Sequence, residues 1–129
     1  MSVVEFRKEE RLCSRTAINE LFKSGKTFVV YPYKVVYLQT SSNKSSTKIL
    51  ITIPKRNFKK AADRNRLKRR TKEAYRLNKQ SLYSYLESKP FSLTIGLIYI
   101  GSKEEEYNEL CPKIILILNR LKVVNESIS

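Results

Sequence analysis

The stretch KRNFKKAADRNRLKRRTKEAYR, residues 55–76, predicts a long basic helix with one side for a sheet and another for a partner. At about 100° of rotation per residue, one arc suits a core and holds Leu67, Thr71, Ala74, Tyr75 and Asn78. The neighbouring arc is polar and mainly basic, and it holds Asn65, Lys68, Arg69, Lys72 and Arg76. Such a helix packs on a sheet and keeps its cations outside.

Positive charge is concentrated in this helix. The 129 residues carry a net charge of +14, and residues 55–79 alone hold twelve basic side chains against Asp63 and Glu73, a net +10. Clustered cations gain affinity for phosphates by releasing counterions, so the pattern favours a nucleic acid or an anionic membrane surface. A solvated face kept basic for solubility is the plainer alternative, but carboxylates at i±4 that would compensate the cations are nearly absent.

Length and composition favour a single cytoplasmic domain over residues 1–129. There is no run of about 18 apolar residues, and the N-terminus contains several glutamates and no apolar segment typical of a secretion signal. Cys13 and Cys111 lie far apart in a chain without histidine, so they are expected to be reduced, half-buried thiols and not metal ligands. A disulfide or a reactive cysteine is the minor alternative. Residues 1–10 are expected to be disordered until a partner binds.

The chain before the basic helix predicts one helix and three strands. The helix spans residues 15–24, with Ser14 as its N-cap and Gly25 at its end. Sequence rich in valine, isoleucine and tyrosine then predicts strands at residues 27–30, 33–39 and 47–54. A polar turn at residues 41–46 is expected to join the last two strands into a hairpin.

The chain after the third strand predicts the order of the remaining elements. The basic helix is expected from near Asn57 to Lys79, followed by a polar linker through Lys89. The segment FSLTIGLIYIG, residues 91–101, is nearly all apolar, which is typical of a strand buried on both faces. With a last helix at residues 107–124, the order becomes αβββαβα, an α+β sandwich in one domain.

The last predicted helix has an ambiguous start. Four acidic residues are expected to be solvated carboxylates that stabilise its first turn: Glu104, Glu105, Glu106 and Glu109. If the helix begins near Leu110, Pro112 lies in the first turn and is tolerated. If the helix begins near Glu104, Pro112 predicts a kink.

The stretch ADRNRLKRRTKEAYR, residues 62–76, resembles the RNR signature of the bacterial ribonuclease P protein component. Its flanks agree, since ERLCSRTAINELFKSGKTF at residues 10–28 is similar to the family's first helix, and LITIPKR at residues 50–56 is similar to its strand ending in a basic pair. Residues 10–77 carry the resemblance, and the remainder matches by element order. The resemblance implies the family's αβββαβα fold, with a left-handed βαβ crossover around the basic helix.

The resemblance also implies a function and its residues. The family's protein binds a large catalytic RNA, and the holoenzyme removes the 5′ leader of precursor tRNA. The motif implies RNA contacts by Lys55, Arg56, Arg64, Asn65, Arg66, Lys68, Arg69 and Lys72. Arg76 joins this set from its place on the basic arc.

A second implied site is a cleft between the first helix and the sheet, which holds the single-stranded leader. Phe22 is expected to line it from the helix, and Tyr33 or Tyr37 from the strand. Ile18 stands where many family members carry another aromatic residue. Plain core packing is the alternative for each of these aromatic side chains.

No catalytic residue, metal site or cofactor is expected in the chain itself. Histidine is absent, and Asp63 lies among cations that would oppose Mg²⁺ binding. Hydrolysis is therefore expected in the RNA subunit with its own Mg²⁺. The expected partners are ribonuclease P RNA and the 5′ leader of precursor tRNA, and no protein partner is inferred.

Two other functions could use the same basic helix. A general structured-RNA-binding or ribosome-associated module predicts comparable affinity for unrelated RNAs and no stimulation of a catalytic RNA. A membrane-surface helix needs bulky apolar side chains opposite its cations, whereas this helix offers only Leu67, Ala74 and Tyr75. The membrane alternative is therefore disfavoured.

Overall fold

The structure, a computed structural model, describes residues 11–12, 14–40 and 47–126, which form four helices and four strands. In chain order they are α1 (Arg15–Ser24), β1 (Lys26–Val30), β2 (Tyr33–Thr40), β3 (Lys48–Thr52), α2 (Ala61–Asn78), α3 (Gln80–Glu87), β4 (Ser92–Tyr99) and α4 (Tyr107–Glu126). The predicted disorder of residues 1–10, the predicted turn at 41–46 and Cys13 lie outside the described residues. The class is α+β, as predicted.

The four strands form one mixed sheet in the order β1-β2-β4-β3. β3 runs parallel to β4, and the other pairs are antiparallel. The parallel pair is connected through α2 and α3, which is the βαβ unit that the resemblance implies. The predicted hairpin of the second and third strands is wrong, because β4 lies between them and β2 forms its hairpin with β1. Nearly every residue of β4 is buried, so this strand belongs in the interior of the sheet.

Helix α1 has the predicted bounds and both predicted ends. The Ser14 hydroxyl oxygen accepts a hydrogen bond from the Ala17 amide at 3.3 Å, and the Gly25 amide donates to the Leu21 carbonyl at 2.8 Å. Gly25 has φ −71°, so the left-handed conformation is not the reason for glycine here. A Cβ at Gly25 would lie 2.8 Å from Val36 Cγ1, so glycine lets the end of α1 approach β2 closely.

The strands divide their side chains between the two faces of the sheet. In β2, Tyr33, Val35 and Tyr37 lie on the face that α2, α3 and α4 cover, where the larger core is formed. Val36 and Leu38 lie on the opposite face, which α1 covers. This alternation follows from the two-residue period of a strand. The smaller core on the α1 face is centred on Leu12, Leu21 and Val36.

Helix α2 packs most of its predicted apolar arc into the larger core, where it contacts α4 and β3. Leu67, Thr71, Ala74 and Tyr75 are buried. The helix begins at Ala61, later than the start predicted near Asn57.

Residues 80–87, predicted as part of a polar linker, form the short helix α3. The prediction failed because two leucines, Leu82 and Leu86, are enough to anchor one helical face in the larger core. In the sequence these two leucines stand among polar residues and tyrosines, so their i, i+4 spacing is not recognisable as an apolar helical face.

Helix α4 begins at Tyr107, between the two predicted starts, and Pro112 lies inside it. Proline has no backbone N–H to donate to the carbonyl of Asn108, but both residues are exposed, so water can reach that carbonyl. The core side of α4 is fully buried and comprises Leu110, Ile114, Ile117, Leu118 and Leu121. None of the described helices is both long and apolar enough to cross a membrane.

Replacing Tyr33 by phenylalanine is expected to lower the free energy of unfolding by about 1–3 kcal/mol. The Tyr33 and Thr71 hydroxyl oxygens lie 2.6 Å apart in the core, so the variant leaves the Thr71 hydroxyl without this partner. The double variant Tyr33→Phe/Thr71→Val removes both polar groups and is expected to lose less. Tyr31→Phe is the matched control, because that ring is 58% exposed. Urea unfolding measures all of these differences, and a Tyr33→Phe protein as stable as the wild type would contradict the expectation.

Candidate nucleic-acid interface

The exposed face of α2 is polar and basic. Asn65, Lys68 and Arg69 are exposed there, and Lys55 and Arg56 are exposed in the segment that leads into the helix. Among the described residues, Lys68 and Arg69 make no hydrogen bond or ion pair with one another or with a third side chain. These two cations are therefore available to an external anion.

A groove of about 140 Å³ runs between α2 and the edge of the sheet. Its wall on the helix is formed by Lys68 and Lys72, and Arg11 lines the opposite side, where it forms a β-bridge with Ile49 of β3. Partial burial lowers the pKa of Lys72, and the positive charges of Lys68 and Arg11 lower it further. Three cations thus converge on one groove, and an anion placed there would relieve their repulsion.

Arg64, the first arginine of the Arg-Asn-Arg motif, is bonded to its own chain. Its Nη1 atom donates to the carbonyl oxygens of Phe58 at 2.7 Å and Lys59 at 2.9 Å. These bonds hold the segment before α2 against the first turn of the helix. The sequence predicts that Arg64 contacts RNA, and in the structure its guanidinium group already makes these two bonds within the chain.

Arg66, the second arginine of the motif, is also bonded within the chain. Its Nε donates to Glu104 Oε2 at 2.9 Å, its Nη2 donates to Glu104 Oε1 at 3.1 Å, and Nη2 also contacts the Asp63 carboxylate. Arg70 Nη1 lies 3.1 Å from the same Glu104 Oε2. The hydrogen bond from Arg66 is the main cause that lowers the pKa of Glu104 below its usual range. The prediction of Glu104 as a solvated carboxylate at a helix start is therefore wrong.

Arg76 is compensated on its own helix. Its Nε donates to Glu73 Oε1 at 3.1 Å and its Nη2 donates to Glu73 Oε2 at 2.6 Å. The hydrogen bond from Arg76 lowers the pKa of Glu73. Of the predicted RNA contacts, Arg64, Arg66 and Arg76 are therefore bonded within the chain.

The structure places the side chains that were predicted to line a cleft between α1 and the sheet on opposite faces of the sheet. Phe22 is 47% exposed on α1, and Ile18 packs partly buried against the smaller core. Tyr33 and Tyr37 are buried on the opposite face of the sheet, so the prediction that one of them lines the cleft is wrong. The plain alternative of core packing describes both side chains.

Side chains at even positions of β2 take the place of these tyrosines on the α1 face. Val36 lies over the centre of that face, and the exposed Lys34 pairs across the sheet with Ile98, which belongs to the same face. The alternation of the strand could have identified them. Choosing the strand residues by their aromatic character was misleading. Three odd positions in succession, Tyr33, Val35 and Tyr37, are apolar or aromatic, so they form the face of β2 that packs in the larger core.

The described residues contain no cluster of side chains that could bind a metal ion. No three or more His, Cys, Asp or Glu side chains within residues 11–12, 14–40 and 47–126 come together in a way that could hold an ion. Cys111 is a half-buried thiol whose sulfur lies 3.6 Å from Asn78 Nδ2. The chemistry of this surface is that of exposed cations and amides, which recognise phosphate and base edges.

The sequence is similar to one known family of proteins. The sequence profile of the family named Ribonuclease P matches residues 6–121. The ribonuclease P protein component of Porphyromonas gingivalis is 39% identical over 101 residues, which cover 78% of this chain and 74% of that protein.

Two solved structures share the fold. The ribonuclease P protein from Thermotoga maritima superposes with a TM-score of 0.67 at 25% identity, covering 86% of this chain and 96% of that one. The ribonuclease P protein of Staphylococcus aureus gives a TM-score of 0.71 at 16% identity, covering 88% and 96%. At that identity the second likeness concerns the fold alone.

Proposed function

This chain belongs to the ribonuclease P protein family, and we propose that the exposed basic face of α2 and the groove beside it bind the RNA of that ribonucleoprotein. The observation that carries the proposal is the convergence of Lys68, Lys72 and Arg11 on one groove at the edge of β3. The chain acts as the protein subunit of an endoribonuclease that matures the 5′ end of tRNA, and catalysis resides in the RNA.

The RNA contacts are proposed for five exposed residues and for the partly buried Lys72 of the groove: Lys55, Arg56, Asn65, Lys68, Arg69 and Lys72. Lysine and arginine neutralise phosphates and release counterions, which supplies affinity without sequence preference. The Asn65 amide can donate and accept in fixed directions, which suits ribose or base edges. The helix then holds the RNA in one orientation across a single face.

The 5′ leader of precursor tRNA is proposed to lie along the α1 face of the sheet. Phe22 presents an exposed ring on which a base can stack, and Lys34 adds a cation from β2. Ile18 supplies an aliphatic surface in place of a second ring. Stacking tolerates any base, so this site suits leaders of varied sequence.

The protein and the catalytic RNA are expected to contribute different parts of the reaction. Its cations screen repulsion between the phosphates of two RNAs, and Mg²⁺ is expected at the catalytic RNA and not on this protein. A cytoplasmic location is expected, because precursor tRNA is the substrate.

Processing of precursor tRNA by the cognate ribonuclease P RNA tests the function directly. At low Mg²⁺, adding this protein is expected to restore cleavage at the 5′ end, because protein cations replace part of the screening by Mg²⁺. The chain alone serves as the control and is expected to leave the tRNA uncut. Tight binding to the RNA without any stimulation would favour a general structured-RNA-binding module instead.

Arg69→Ala is expected to weaken binding to ribonuclease P RNA and to flatten the slope of log affinity against log salt by about one unit. The reason is the loss of one exposed cation from the proposed contact face. Lys113→Ala is the matched control, since it removes an exposed cation from α4 and is expected to leave the slope unchanged. Titrations at several salt concentrations measure both slopes. Identical slopes for Arg69→Ala and wild type would remove α2 from the interface.

Phe22→Ala is expected to reduce the preference of the holoenzyme for precursor over mature tRNA, while binding to the catalytic RNA is kept. Loss of one stacked base costs about 1–3 kcal/mol, so the preference should fall by roughly fivefold or more. Leu116→Ala is the matched control, because Leu116 is 48% exposed on α4. Equilibrium binding of the two tRNA forms provides the measurement. An unchanged ratio for Phe22→Ala would place the leader elsewhere.

A further inference from the structure

Four charged side chains are linked by ion pairs on one flank of α2, and we name them the acid–arginine quartet: Asp63, Arg66, Arg70 and Glu104. The exposed Glu106 adds a longer contact of 3.9 Å to Arg70. Glu104 is 38 residues away from Arg66 along the chain and accepts from it through both carboxylate oxygens. Arg70, one turn further along α2, reaches the same carboxylate. Two guanidinium groups and two carboxylates give the quartet a net charge of zero.

The segment that carries Glu104 is fixed by further bonds. Arg70 Nη1 donates to the Glu105 carbonyl at 2.8 Å. The Tyr99 hydroxyl donates to the Lys103 carbonyl at 2.7 Å and accepts from the Glu105 amide at 3.3 Å. Tyr99 is itself buried in the larger core, so these bonds tie the segment to a rigid part of the fold.

The quartet divides the cations of α2 into two groups. Arg66 and Arg70 are matched to carboxylates on one flank, whereas Lys68 and Arg69 are exposed on the other. An RNA that approaches the helix therefore meets uncompensated positive charge on one side only. Charge-assisted, two-point arginine–carboxylate bonds are among the stronger polar contacts in proteins, so the quartet competes with phosphate for both arginines.

We propose that Glu104 is a positioning residue for RNA recognition, which withholds Arg66 and Arg70 from the RNA and confines the phosphate-binding surface of α2 to the flank of Lys68 and Arg69. The expected consequence is selectivity. Cations released from the quartet would add affinity for any phosphate backbone, since this contribution is independent of sequence. The inference rests on the proposed function for the identity of the RNA, and its test uses binding and not cleavage.

Glu104→Gln is expected to free the arginines and to steepen the salt dependence of RNA binding by about one unit of slope. It is also expected to raise the affinity for an unrelated structured RNA more than the affinity for ribonuclease P RNA. Glu106→Gln is the matched control, because it removes the same charge from a side chain that is 79% exposed and 3.9 Å from Arg70. The control is expected to leave the slope and the affinity ratio unchanged.

A charge-conserving double variant, Asp63→Asn/Arg66→Gln, separates the proposal from a direct contact by Arg66. It leaves Arg70 paired with Glu104, so the net charge stays at zero, no cation is released and the slope is expected to equal that of the wild type. A slope lower by about one unit would show that Arg66 contacts phosphate in the complex and would overturn the proposal.

Two other results would also overturn it: an unchanged slope in Glu104→Gln, or equal changes in Glu104→Gln and Glu106→Gln. Circular dichroism establishes that each variant is folded before its binding is measured, and the double variant decides the question if Glu104→Gln does not fold. Failure of the wild-type chain to stimulate cleavage would count against the proposed function and leave these slopes to be judged separately.

Discussion

Repulsion among the cations of α2 is the constraint that shapes the rest of this molecule. Pairs such as Lys68 with Lys72 and Lys72 with Arg76 lie at i, i+4, and each such pair destabilises an isolated helix by a few tenths of a kcal/mol. Burial of the side chains that face the sheet, Leu67 and Tyr75 above all, offsets this repulsion. The helix is stable because its buried side chains pack against α4 and the sheet. Its charged side chains lie on the remaining surface or are bonded within the chain, to carboxylates or, for Arg64, to backbone carbonyls.

The two faces of the sheet differ in the size of their cores and in the side chains that they leave exposed. The face covered by α2, α3 and α4 contains the large core and gives the basic helix a rigid support. The α1 face has a smaller core and leaves Phe22 and Lys34 exposed. In the proposed function, one four-stranded sheet presents a surface for a large folded RNA beside its β3 edge and a separate surface for the single-stranded leader.

Local features of this fold could be predicted from the sequence, and long-range ones could not. The bounds of α1 follow from Ser14 and Gly25, and the buried arc of α2 follows from its periodicity. The position of β4 between β2 and β3 depends on pairing between distant segments, for which no local pattern exists. The same holds for the site: exposure of Lys68 and Arg69 could be predicted from the helical arc, whereas the bonds of Arg66 to Glu104 join residues 38 positions apart.

The bridge between Arg11 and Ile49 has a consequence for how the protein behaves in solution. β3 is an edge strand, and an edge strand presents unpaired backbone groups that can template association with other chains. The Leu12 amide donates to the Ile49 carbonyl at 3.0 Å, and Leu12 itself is buried against the α1 face. The segment that brings Arg11 to the groove therefore also covers part of this edge, so a single short stretch of chain both completes a cationic surface and pairs backbone groups that the edge would otherwise present to other chains.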